Sequence, residues 1–279
     1  MFRRLSLALI TLLVSVGSAA AQQAPQEPLT FWYDYYVRPG RDADFLELVK
    51  AVGQPVRDKL MADGVVLAWG LEVPVLRVPG YATHVIWYVV ADMAGVEKVQ
   101  DAMTAQLAKI AADEKAKKMS KALTTAERTL EIIDTSKTRD WLTRDVIVNY
   151  GTTTIPTGTL PYTAYSAIKA RPGKGGGYVR AWEKYYRPVY DKLVADGIVL
   201  EYGLAVEAVK TTDDFTHVLW VVTKDLASRD KVRTALMASQ QSLSEEERNA
   251  MTEIFADAAD SGTGRQMLTR SLIFKTAGH

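Results

Sequence analysis

Apolar and polar positions along the chain fall into short strand-like runs separated by stretches with helical spacing. Residues Thr30 to Val37 are rich in aromatic and β-branched side chains, and Tyr162 to Lys169 repeat that character, which predicts a strand at the head of each half of the chain. Further on, Tyr178, Trp182, Tyr185, Tyr186, Val189, Tyr190 and Leu193 recur at spacings of three and four, with Arg180, Glu183, Lys184, Arg187 and Asp191 on the remaining positions. That pattern predicts a helix with one broad aromatic face. Pro188, and Pro55 in the corresponding stretch of the first half, fall inside the helical pattern and predict a kink in each copy. The Asp-Gly pairs at 63–64 and 196–197 end these helices, because glycine supplies the left-handed residue after a last turn. Two strands, Val65 to Val73 and Thr83 to Val90, should follow, then a helix from about Val96 to Ile110 and another beginning near Thr124. The match to that last helix in the second half starts at Ser244-Glu-Glu-Glu247, a capping-box pattern. The closing strands are placed at Asp145 to Asn149 and Ser271 to Phe274.

The order of elements repeats because the sequence does. Arg38-Pro39-Gly40 recurs as Arg171-Pro172-Gly173, and Thr83-His84-Val85-x-Trp87 as Thr216-His217-Val218-x-Trp220, at a constant offset of 133. Positions 38–92 and 171–225 share 22 identities in 55. Later the offset falls to 126, where Leu142-Thr143-Arg144 matches Leu268-Thr269-Arg270. The chain therefore divides into a first repeat at 29–150, a Gly/Pro/Thr-rich linker at 151–161 and a second repeat at 162–276. The strands Val85 to Val90 and Val218 to Val222 are apolar on both faces. A sheet with one wet face would alternate instead. Helices of one repeat cover a single face, so the other face must meet the second repeat's sheet, which predicts a closed or nearly closed pair of sheets.

Residues 1–21 add an address. Arg3 and Arg4 precede an apolar run from Leu5 to Val16 and a small-residue stretch ending at Ala21, the order of a cleavable export signal. The run is shorter than the roughly 20 residues a spanning helix needs, so the mature chain is expected to be exported without a stable membrane anchor, periplasmic or secreted. The formal charge of +1 becomes −1 once Arg3 and Arg4 leave with the leader, which offers no global field for nucleic acid. The chain has no cysteine and three histidines, a composition that points away from disulfides, thiolate metal sites and metal clusters.

The Arg-Pro-Gly turns, the kinked aromatic helix with Pro188 and the strand Thr216 to Trp220 resemble the dimeric α/β-barrel superfamily and, within it, the NIPSNAP-like domains. The resemblance implies an α+β fold of two tandem ferredoxin-like units, packed sheet to sheet as an intramolecular dimeric α/β barrel. It also implies a pocket between each sheet and its helices, or inside the barrel. Relatives of this shape include cofactor-independent oxygenases acting on aromatic polyketides or quinols, and haem proteins with two such units per chain.

Candidate chemistry follows from position and residue type. His84 and His217 open the third strand of each repeat, near Tyr36 and Arg38 in one and Lys169 and Arg171 in the other. A neighbouring cation disfavours protonation, so either imidazole is a candidate general base. The alternative for each is a strand-end histidine bonded to its own surroundings. Tyr36, Trp87, Tyr88, Tyr165, Trp182, Tyr186 and Trp220, together with Arg38 and Arg171, are the candidate ligand-binding residues, because aromatic faces offer apolar contact and hydroxyls fix orientation. The leading expectation is a binding protein for a small apolar or aromatic molecule, with no cofactor and no metal encoded and homo-oligomerisation left open. The alternative is a cofactor-independent oxygenase using His84 or His217, and a third reading is haem binding through one of them.

Overall fold

The computed structural model describes residues 27–116, 124–151, 158–211 and 215–276; the expected signal at 1–21 and most of the linker lie outside them. The first repeat contributes β1 (Leu29–Tyr35), α1 (Asp42–Leu48), α2 (Gln54–Ala62), β2 (Val66–Pro74), β3 (His84–Val90), α3 (Met93–Ala116), α4 (Thr125–Ile132) and β4 (Arg139–Asn149). The second contributes β5 (Tyr162–Ala170), α5 (Gly175–Tyr185), α6 (Arg187–Ala195), β6 (Glu201–Glu207), β7 (His217–Thr223), α7 (Leu226–Ser242), α8 (Glu245–Ala258) and β8 (Ala259–Thr276).

The eight strands form one closed antiparallel barrel in the order β1-β3-β2-β8-β5-β7-β6-β4. Each repeat supplies four neighbouring strands in the same internal order, β4-β1-β3-β2 and β8-β5-β7-β6. The repeats do more than face each other across a core: their edges are bonded, β2 to β8 and β4 to β6. The closing strands run longer than expected because their added residues pair with the first strand of their own repeat, Arg139 to Arg144 with β1 and Ala259 to Arg270 with β5. β4 pairs with both β1 and β6, and β8 with both β2 and β5, so polar stretches such as Arg139-Asp140 and Arg265-Gln266 are held in ladders their composition does not announce.

Strand alternation sorts the side chains into three cores. Leu29, Phe31, Tyr33, Tyr88 and Val90 face outward and pack with Phe45, Val49, Val96 and Val99 of the first repeat's helical layer. Tyr202, Leu204 and Val221 do the same under Trp182, Tyr190, Leu193 and Val232. Between them, Trp32, Val85, Trp87, Val89, Tyr165, Val218, Trp220 and Val222 fill the barrel. The doubly apolar third strands are thus explained, with helices on one side and the barrel interior on the other.

Local punctuation behaves as its chemistry requires. Pro55 follows a π-helical segment at Val49–Gly53, and Pro188 follows a break at Tyr186, so the long helix bends in both copies. Gly64 and Gly197 adopt φ of 72° and 69° after the last turns. Thr124 and Ser244 each make a complete capping box with Glu127 and Glu247.

Gly70 and Gly203 are equivalent across the repeats and lie directly opposite Trp87 and Trp220. A Cβ on Gly70 would come within 2.7 Å of the Trp87 ring, and one on Gly203 within 2.5 Å of the Trp220 ring. Replacing either glycine by alanine is expected to lower stability by about 1–3 kcal/mol through overpacking, measured by urea denaturation. Gly177→Ala, where an added Cβ meets nothing within 4 Å, should cost nothing.

Candidate functional site

The barrel interior has a polar middle and an open end. In the middle, Trp87 Nε1 donates to Glu72 Oε1 at 3.0 Å, while the Glu72 carboxylate also accepts from Thr163, Tyr165 and Thr269. Trp220 Nε1 donates to Asp145 Oδ1 at 3.2 Å, and Thr30 Oγ1 reaches the other oxygen at 3.4 Å. Glu201 faces the same small internal cavity, about 30 Å³ in volume, with Tyr150, Trp87 and Trp220 on its walls. Burial pushes all three carboxyls above the ordinary range, Asp145 to about 7 and Glu201 to about 8, with neighbouring carboxylates adding to the rise at Glu201. The four donors around Glu72 oppose the effect of burial there without cancelling it.

Beyond Trp32 and Tyr165 the barrel opens into a cavity of about 350 Å³. Trp32 stacks on Trp141 at 4.7 Å and meets Tyr165 edge-on at 5.5 Å, while Phe215 contacts Trp141 edge-on at 5.0 Å. Val85, Val218, Met267 and the β2–β3 loop residues Leu76, Val78 and Tyr81 complete an apolar wall. Its charged groups are Asp34, Arg139 and Arg265. The size and lining suit a small, largely apolar molecule oriented by a few polar groups. Tyr165 forms part of the floor while its hydroxyl donates to Glu72 Oε2 at 2.9 Å, so the cavity and the buried carboxylates share one residue.

The candidate residues separate cleanly in this geometry. Tyr165 lines the open cavity, and Trp87, Tyr165 and Trp220 line the internal one. Tyr88 lies on the outer face, stacked on Phe31. Trp182 and Tyr186 belong to the second helical core, where Trp182 stacks on Tyr190. Tyr36 is near the mouth and donates to the Gly80 carbonyl, Arg38 points to the Leu130 carbonyl, and Arg171 is exposed in its turn. None of these last six is a wall of either cavity: strand parity turns Tyr88 outward, helix periodicity places Trp182 and Tyr186 in the helical core, and Tyr36, Arg38 and Arg171 lie in turns beyond the strand ends.

Both histidines also face outward. His84 Nδ1 sits 3.1 Å from Thr83 Oγ1, its ring packs against Phe45 at 4.8 Å, and its charged neighbours are Asp42 and Arg77 in place of the expected Arg38. His217 Nδ1 sits 2.8 Å from Thr216 Oγ1, with Tyr178 and the Gly175 backbone over the ring. Each threonine also accepts the backbone N–H that ends the neighbouring strand, from Val37 and Ala170. The duplicated Thr-His pair thus ties the end of the first strand to the start of the third. Burial lowers both imidazoles to about 4, so they are neutral near pH 7. Among the described residues, no group of three or more His, Asp or Glu could hold a metal ion, and no helix is long and apolar enough to cross a membrane.

The architecture has solved counterparts. A candidate monooxygenase from Fusobacterium nucleatum subsp. nucleatum ATCC 25586 matches with a TM-score of 0.59 at 13% identity, over 90% of this chain and 95% of that one. Another from Lactobacillus acidophilus NCFM matches at 0.55 and 9% identity, over 90% and 97%. At these identities the likeness establishes the fold alone, a closed eight-stranded antiparallel barrel with an outer layer of helices. No protein-family model and no curated protein matches the sequence.

The buried acids set a pH dependence. Their raised values mean that the folded state keeps protons the unfolded chain has released by about pH 5, so stability is present at low pH and falls as pH rises toward about 8. The slope approaches about 1.4 kcal/mol per pH unit for each group that is ionised in the unfolded chain and still protonated in the folded one. Glu201→Gln should flatten this decline and raise stability at pH 8 relative to wild type, measured by denaturation at pH 5, 6.5 and 8.

Proposed function

We propose that this chain is an exported binding protein that takes up a small apolar or aromatic molecule in the open end of its barrel. The carrying observation is the 350 Å³ cavity with Trp32, Trp141, Tyr165 and Phe215 in its lining. In this reading the two repeats, 29–150 and 162–276, are tandem ferredoxin-like units of NIPSNAP-like character, which the repeated strand order supports. The leader at 1–21 directs the chain to the periplasm or medium, and ligand uptake requires no cofactor.

A second reading, a cofactor-independent oxygenase working in the same cavity, is favoured by the description of two structural neighbours as candidate monooxygenases. His84 and His217 lie on the opposite face of the sheet from that cavity, so an enzyme acting there would rely on the Tyr165–Glu72 pair at its floor. Haem ligated by either histidine does not fit the arrangement. Both rings are covered by the helical layer, and neither lines either barrel cavity.

The test is native mass spectrometry of the purified full chain. A co-purified small-molecule adduct is expected on the wild type and should be lost from Ala167→Trp, which fills the cavity from its wall. His84→Ala and His217→Ala should keep the adduct and lose only stability. An adduct that survives Ala167→Trp, or disappears with either histidine, would move the site away from the barrel end.

A further inference from the structure

Two arginines at the barrel end are copies of one another, and only one has kept its acid. Arg139 of β4 and Arg265 of β8 are related by the 126-residue offset that joins Leu142-Thr143-Arg144 to Leu268-Thr269-Arg270. Arg139 stands opposite Asp34 in the ladder, and its Nε donates to Asp34 Oδ2 at 2.8 Å. Arg265 stands opposite Ala167. Asp34 and Ala167 are themselves equivalent, at the 133-residue offset. The second repeat therefore retains the inward-facing cation and has alanine where the first has its counter-ion.

The vacated position opens on the cavity. Asp34, Arg139, Ala167 and Arg265 all line it. The described partner of Arg265 is Tyr81, through the hydroxyl and through the ring face at 5.5 Å, and this partner is neutral. No ion pair to Arg265 is formed among the described residues. Asp34 and Arg139 cancel, leaving one formal positive charge beside an aromatic lining. A guanidinium is a planar donor suited to bidentate recognition of an acidic group, and Arg265 presents it at the exposed rim of the cavity.

Resting on the barrel-end binding reading, we infer that the ligand is an aromatic acid: a flat apolar body held against Trp32, Trp141 and Phe215, with a carboxylate, sulfonate or ionised phenol at Arg265. The acidic group takes in the second repeat the place that Asp34 holds in the first. A neutral hydrocarbon of the same size would fill the cavity and leave this cation unanswered, so charge becomes the determinant of specificity within the apolar class.

Fluorescence titration of the full chain with two matched probes tests this, using 1-anilinonaphthalene-8-sulfonate and its uncharged counterpart N-phenyl-1-naphthylamine at low salt. Wild type is expected to prefer the sulfonate. Arg265→Gln should weaken the sulfonate at least tenfold and leave the uncharged probe within twofold. Ala167→Asp, which rebuilds the internal pair of the first repeat, should do the same, and Arg265→Lys should restore part of the preference. If Arg265→Gln leaves sulfonate affinity unchanged, or weakens both probes equally, the anion assignment is overturned while the cavity remains a binding site. If wild type binds neither probe, or Phe215→Ala changes the affinity of neither, the barrel-end reading itself falls.

Discussion

Everything in this molecule depends on filling a closed barrel while giving the two indoles at its centre polar partners. The solution is an indole laid across a glycine. In each half a tryptophan on the third strand covers the bare backbone of the second strand, Trp87 over Gly70 and Trp220 over Gly203, and turns its N–H to a buried carboxyl group. The ring supplies volume that the barrel interior needs, and the acid satisfies the one polar atom the ring brings with it. The acceptor differs between halves: Glu72 comes from the second strand of the first repeat, whereas Asp145 comes from the fourth strand of that same repeat and reaches Trp220 across the β4–β6 seam. The duplicated tryptophans therefore both depend on acids of the first repeat, and the second half cannot complete its own interior.

Much of the scaffold was legible in the sequence because it rests on local rules and repetition. The Pro55 and Pro188 bends, the Gly64 and Gly197 helix ends and the Ser244 cap each follow from the chemistry of one or two residues. The third strands announced a cover on both faces through their unbroken apolar runs. The closing strands were only half legible, because Arg139 to Arg144 and Ala259 to Gln266 are held by pairing with the distant first strand of their own repeat, β1 and β5, and not by any strand pattern of their own.

The cavity was less legible, and the reason is parity. Counting aromatic residues does not separate Trp87 from Tyr88, yet one faces the barrel interior and the other the helices. A sharper signal was present in the carboxylates: Glu72, Asp145 and Glu201 are acids set inside apolar strands, which mark positions where an inward-facing polar atom needs a partner. Phe215 lies in a loop whose place over the mouth depends on tertiary structure. The histidines drew attention through their duplication, but their geometry is that of a strand latch, retained where the fold repeats the same joint.

The bonded seams β2–β8 and β4–β6 also bear on how such a chain can change over time. In a barrel assembled from two identical subunits, every substitution appears twice, once at each symmetry-related position. With both halves in one chain and their edges permanently engaged, the two ends of each strand pair can be altered independently. A residue can be lost from one copy while its twin goes on holding the shared scaffold together. Covalent linkage thus turns a symmetric architecture into one able to carry two different local chemistries, with the closed ladder of hydrogen bonds keeping them in register.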